Sequence, residues 1–150
     1  MEHNVMGDEL IPEVNDLCAA FQLAVAEHIV HRTQRAILYC EKYKLINPDN
    51  KVIVVSGGVA CNNFIYESVK YVGEKMGYGT YRPPSTVCTD NGVMIAWNGL
   101  EKLRKQCDIR TNFTLDEIDP EAPLGKNIIN DVKAASIQIK ITRLNNIINK

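Results

Sequence analysis

Lys51-Val52-Ile53-Val54-Val55-Ser56-Gly57-Gly58-Val59-Ala60-Cys61-Asn62 is the stretch that decides the fold class. Its first half is a β-branched run without polar and apolar alternation, which predicts a strand buried on both faces, as in a parallel sheet covered by helices. Gly57-Gly58 makes the turn at the strand's end. The helical period then starts, carried by Phe64, Ile65, Val69 and Val72, and Gly77-Tyr78-Gly79 stops it with a residue type that accepts left-handed geometry.

Upstream, Val14, Leu17, Cys18, Phe21, Val25, Ile29, Ala36 and Cys40 recur at spacings of three, four or seven, which predicts one apolar stripe on a long helix from about Pro12 to Leu45. Asn47-Pro48-Asp49-Asn50 ends it. Downstream, Thr80-Tyr81-Arg82 reads as a second short strand halted by Pro83-Pro84. Val93, Met94, Ala96, Trp97, Leu100 and Leu103 mark a third helix from about Asn91 to Lys105, with Thr89-Asp90 as its capping residues. The fold class is therefore α/β, but two strands with three helices make an incomplete sheet that needs further structure to cover it. After Cys107 the pattern weakens. Residues 109 to 121 are polar and turn-like, Pro123-Leu124-Gly125 is a turn, and Ile128 to Ile139 is weakly periodic, a tail expected to wrap against the rest.

Composition narrows the function classes. The chain has 150 residues, 45% hydrophobic and 23% charged, which suits one globular domain and excludes collagen-like and disordered classes. No apolar run approaches the roughly 18 to 20 residues of a membrane span. With 17 Lys plus Arg against 18 Asp plus Glu the net charge is −1, so a nucleic acid has to be engaged through a local patch. Five separated cysteines, with no CxxC pair, indicate neither a disulfide framework nor a zinc ribbon and fit a reducing compartment. Met1 to Pro12 carries Glu2, Asp8 and Glu9 and has neither a secretory nor a transit-peptide pattern.

Two motifs can carry chemistry. At Gly57-Gly58 a ligand can approach the backbone, and the start of the next helix offers free N–H groups to an anion or a ribose; a tight turn with Asn62 as helix cap accounts for the same residues. Cys88-Thr89-Asp90-Asn91-Gly92 follows the second strand, so both motifs fall at the carboxyl ends of parallel strands, where α/β proteins place ligands. Asp90 can offer a carboxylate to a metal ion, or act as a plain cap. His28 and His31 lie one helical turn apart with no further ligand at a suitable spacing, and read as solvent-facing or satisfied histidines. Cys61 and Cys88 have no histidine base nearby and read as small buried side chains. Tyr66, Tyr71, Tyr81 and Trp97 read as packing residues, and Lys102, Arg104, Lys105 and Arg110 as a solvated basic helix face.

Val54-Val55-Ser56-Gly57-Gly58-Val59-Ala60-Cys61-Asn62, and Pro83-Pro84 followed by Val87-Cys88-Thr89-Asp90-Asn91-Gly92-Val93-Met94-Ile95-Ala96-Trp97-Asn98-Gly99, closely resemble the C-terminal part of the universal tRNA threonylcarbamoyladenosine synthases, also called the glycoprotease family. Asn15 to Gln22 resembles the family's helix before the nucleotide site, and Ala122-Pro123-Leu124-Gly125 the tail of its mitochondrial branch. The likeness covers roughly residues 10 to 140.

The resemblance implies the C-terminal lobe of a two-lobed fold of the actin, sugar-kinase and heat-shock ATPase type. The family moves threonylcarbamoyl from threonylcarbamoyl-adenylate to the exocyclic amine of the adenosine beside the anticodon in ANN-decoding tRNAs. By position, Gly57, Gly58 and Asn62 would meet the adenylate, and Asp90 would ligate one divalent metal ion (zinc, iron or magnesium). Residues 1–11 would be a flexible lead, 12–108 the nucleotide- and metal-site lobe and 109–150 a tail packing on it.

The family's His-x-x-x-His metal pair is absent, and His28 and His31 have the wrong spacing and place to replace it. The chain alone is therefore expected to be inactive, with tRNA, the N-terminal lobe or a full-length subunit, and a second copy in a homodimer as implied partners. A mitochondrial location follows from the resemblance, with the cytoplasm otherwise. A non-catalytic module that pairs with a full-length subunit is the alternative from another class. A related phosphotransferase lobe fits the fold but not the Cys-Thr-Asp-Asn-Gly motif, and a metalloprotease lacks its His-Glu-x-x-His helix.

Overall fold

The computed structural model describes residues 11–109, 112, 114 and 125–144. In chain order these form α1 (Val14–Lys42), β1 (Val52–Val54), a 3-10 turn (Gly58–Cys61), α2 (Asn63–Lys75), β2 (Gly79–Tyr81), α3 (Ser85–Cys88), α4 (Gly92–Lys105) and α5 (Ile129–Ala134). β1 and β2 pair in parallel, with Val52 opposite Gly79, Ile53 opposite Thr80 and Val54 opposite Tyr81. The α/β class and the two-stranded parallel sheet read from the sequence are thus present.

Among the described residues the sheet is covered on one side only. Helix α2 lies over Ile53 and Thr80, and it comes so close that a Cβ on Gly73 would overlap Thr80 Oγ1. Val52, Val54 and Tyr81 point the other way and are exposed, so the strand is not buried on both faces as its composition predicts. A β-branched run records that a strand is meant to be covered, not which polypeptide segment covers it.

The stripe on α1 also differs from the expected one. Ala26, Val30, Ile37 and Tyr39 are its buried residues, whereas Leu17 and Phe21 are 60% and 70% exposed. Length explains this. At about 1.5 Å per residue α1 is roughly 43 Å long and α2 roughly 20 Å, so α2 covers only part of α1, the part around Ala26 and Val30. The core itself joins Ala26 and Val30 of α1 to Ile65 and Val72 of α2, and Leu144 from the C-terminal segment completes it. Gln34 Nε2 donates to Thr142 Oγ1 at 2.8 Å and fixes that segment against α1.

A polar clasp closes the other end of the unit. Tyr78 is 3% exposed, and its hydroxyl donates to Glu41 Oε1 at 3.1 Å, while Lys51 Nζ pairs with the same oxygen at 3.0 Å. The ion pair is half exposed and contributes little by itself. It does hold the Glu41 carboxyl below its ordinary range. Burial, then Glu41, pushes the Tyr78 hydroxyl up to about 12.

Between pH 10 and about 12 the unfolded chain has lost the Tyr78 proton that the folded chain keeps, so stability falls as pH rises through that window and is fully present below it. In an alkaline absorbance titration Tyr78 is expected to give a late step near pH 12, and Tyr78→Phe to remove it. A late step that persists in Tyr78→Phe counts against the assignment.

Among the described residues no helix is long and apolar enough to cross a membrane.

Candidate functional site

Both sequence motifs leave the carboxyl end of the parallel sheet. Val55 N–H donates to Tyr81 O at 2.9 Å, extending the pairing one residue past β1, and the chain then turns at Gly57 with φ +108°. That backbone is one an L side chain resists, and a Cβ there would meet nothing within 4 Å, so the space above Gly57 is open. The 3-10 turn follows, with Ala60 N–H on Gly57 O at 3.0 Å.

Asn62 Oδ1 accepts from Ile65 N–H at 3.2 Å and caps α2, which is the cap reading of this residue. Its Oδ1 is thereby engaged, and its Nδ2 has no hydrogen-bond partner among the described residues.

The second motif is tied to the first. Gly57 N–H donates to Cys88 O at 2.9 Å, and a Cβ on Gly58 would sit 4.0 Å from the Thr89 methyl. Asn91, not Thr89 or Asp90, caps α4: its Oδ1 accepts from Met94 N–H at 3.0 Å, and its Nδ2 donates to Thr89 O at 2.8 Å. The amide does both jobs because it carries a donor and an acceptor, which a carboxylate at Asp90 does not. Asp90 is left exposed and without a hydrogen bond or ion pair among the described residues.

Arg82 is the residue that sequence reasoning missed. It follows β2, its Nη1 donates to Ala60 O at 2.9 Å and to Asn63 Oδ1 at 3.0 Å, and its guanidinium lies 4.3 Å from the centre of the Tyr66 ring. Tyr66 OH donates to Thr80 O at 3.2 Å. These contacts bind the end of β2 to the glycine turn and give Tyr66 a structural role. A cation placed directly after a strand and before Pro83-Pro84 was the available signal.

Cys88 is buried and Cys61 half-buried; burial, then Cys88, raises the Cys61 thiol above its ordinary range, so it is a poor nucleophile at neutral pH.

The remaining candidates stand apart. His28 accepts from Arg32 Nε at 3.2 Å at the surface. His31 departs from the expectation, for it is half-buried and its Nε2 is enclosed without a partner. Trp97 is exposed, so it is not a packing residue within the described fold. Arg110 lies outside the described residues. In the basic cluster, Lys102 pairs with Asp108 at 3.6 Å and Arg104 with Glu101 at 3.0 Å.

No three His, Cys, Asp or Glu side chains among the described residues come together to hold a metal ion. Asp90 alone is one ligand where a metal needs several, so the described residues do not fit a complete metal centre.

Comparison with known proteins places these motifs. The family model for TsaD, tRNA N6-adenosine threonylcarbamoyltransferase, matches residues 3–97. A protein of Danio rerio named tRNA N6-adenosine threonylcarbamoyltransferase, mitochondrial, is 41% identical over 143 residues, covering 95% of this chain and 35% of that protein. Its Homo sapiens counterpart of the same name is 37% identical over 138 residues, covering 92% and 33%. A tRNA N6-adenosine threonylcarbamoyltransferase of Anaplasma marginale is 40% identical over 107 residues, covering 71% and 29%. The chain thus spans about a third of the length of the curated relatives it matches. No solved structure matches. With the glycine turn and the Cys-Thr-Asp-Asn-Gly loop both inside the matched residues, the chain belongs to the tRNA N6-adenosine threonylcarbamoyltransferase family, a family of transferases.

Proposed function

We propose that this chain supplies the C-terminal lobe of an actin-type two-lobed transferase and, in it, half of the pocket for threonylcarbamoyl-adenylate. The observation that carries the reading is the hydrogen bond from Gly57 N–H to Cys88 O at 2.9 Å, which holds the two family motifs side by side beneath open space. Gly57 and Gly58 let the adenylate approach the backbone, and Asn62 Nδ2 donates to it. Arg82 keeps the turn in place through Ala60 and Asn63.

Asp90 is the ligand this chain would add to a divalent-metal site completed elsewhere. The acceptor is the exocyclic amine of the adenosine beside the anticodon, and the names of the relatives support tRNA as partner and the mitochondrion as location. A homodimer fits the same reading.

Two strained glycines separate function from folding. Gly57 at φ +108° and Gly77 at φ +76° both face open space, so alanine at either meets no atom but strains the backbone by about 1–3 kcal/mol. In the two-lobed protein, Gly57→Ala is expected to lower threonylcarbamoyl transfer to tRNA at least tenfold, while Gly77→Ala lowers only the melting temperature. Equal transfer by the two variants would overturn the site assignment.

A further inference from the structure

A cavity of about 640 Å³ lies between α1 and α5, among residues that none of the motifs above uses. Arg32 and Arg35 line it from α1, where a spacing of three residues puts both on one face. Lys133 and Ser136 line it from α5 and the turn after it, and Ile128 and Val132 give it an apolar floor. Its size is that of a small-molecule or nucleotide subsite.

The charge in it is unbalanced. Among the described residues no acid lines the cavity, and neither the Arg35 guanidinium nor the Lys133 ammonium has a hydrogen bond or ion pair. Arg32 spends only its Nε, on His28, which leaves its outer N–H groups free. Three cations gathered without a counter-ion repel one another, and an anion in the cavity removes that cost.

The imbalance extends along the C-terminal segment. Residues 125–144 hold Lys126, Lys133, Lys140 and Arg143 against the single acid Asp131, in a chain whose net charge is −1. Lys126, Lys140 and Arg143 are exposed. A single small anion needs one fork of donors, whereas three cations lining a cavity of this size beside Ile128 and Val132, with further exposed cations on the same segment, suit successive phosphates of a polynucleotide.

We propose that the α1–α5 cavity binds the phosphate backbone of RNA, with Arg32, Arg35 and Lys133 as the phosphate contacts. The inference rests on the tRNA-modifying reading above and adds to it a docking site separate from the glycine turn.

The test uses the 150-residue chain and a fluorescein-labelled, unmodified transcript of an ANN-decoding tRNA. Arg32→Gln/Arg35→Gln is expected to weaken binding at least tenfold and to flatten the dependence of log affinity on log salt by about 1.5, the share of two phosphate contacts. Lys70→Gln, on α2 beside Glu67, is expected to bind as the parent does. Far-UV circular dichroism and the melting temperature verify that the double variant is folded; if it is not, Lys133→Gln alone is expected to cost about threefold in affinity.

Binding by folded variants equal to that of the parent would overturn the proposal, as would no binding by the parent chain. Inorganic phosphate or adenosine monophosphate competing with the tRNA at equal phosphate concentration would assign the cavity to a free phosphate compound and overturn the RNA site. These outcomes leave the transferase reading standing, since that reading is tested separately by transfer in the two-lobed protein and its Gly57→Ala variant.

Discussion

Gly73→Val is expected to destabilise this chain by about 3 kcal/mol, whereas Gly99→Ala is expected to stabilise it by about 0.5–1 kcal/mol. Both glycines stand inside helices, so helix propensity alone predicts the same sign for removing either. Their surroundings differ. A Cβ on Gly73 overlaps Thr80 Oγ1 and comes within 3.1 Å of Ile53 Cδ1 and 3.4 Å of the Tyr78 carbonyl oxygen, while a Cβ on Gly99 meets nothing within 4 Å.

Thr80 and Ile53 form the covered face of the sheet, and the Tyr78 carbonyl beside them is backbone that cannot turn aside. Valine at 73 therefore lifts α2 away from β1 and β2, at a cost of about 3 kcal/mol or more from overpacking. Stability of a domain this size is about 5–15 kcal/mol, and a two-stranded sheet open on one face lies at the low end. Melting followed by far-UV circular dichroism checks both variants. A Gly73→Val melt within 1 °C of the parent would show that the helix does not rest on the sheet as described.

Gly73 also shows where sequence reading stops. The period that marks α2 gave Phe64, Ile65, Val69 and Val72 as its apolar face, and Ile65, Val69 and Val72 are indeed buried while Phe64 packs at the core's edge. A glycine inside that period reads as a weak point, though its role is to admit a strand. The glycine turn and the Cys-Thr-Asp-Asn-Gly loop were legible because strand, turn and helix follow within a few residues of one another. Arg82 was not legible as the clamp on the turn, since its acceptors Ala60 and Asn63 lie 22 and 19 residues away. The stripe on α1 misled for the same reason. Period three or four says that a helix has an apolar face, but not whether its partner is another element of the same chain, and here half of that face has none among the described residues.

Helix α4 presents an uncovered apolar face among the described residues, and the second large effect is expected there. Val93, Trp97, Leu100 and Leu103 are all at least half exposed, and no residue of the helix is buried. On the reading proposed above, this face and the open side of the sheet meet the part of the family's polypeptide that lies outside the third spanned here. Trp97 is the single tryptophan of the chain, so its fluorescence reports on that face.

Alone, the chain is expected to emit as a water-exposed indole does and to transfer no threonylcarbamoyl to tRNA. Co-expressed with the N-terminal two-thirds of the Danio rerio relative, stripped of its own tryptophans, it is expected to shift its emission to shorter wavelength and to gain transfer that Asp90→Asn abolishes. Transfer by the chain alone would refute the half-site. Burial of Trp97 without any transfer would favour the non-catalytic pairing module, because the same apolar helix serves either role and only the carboxylate at Asp90 tells them apart.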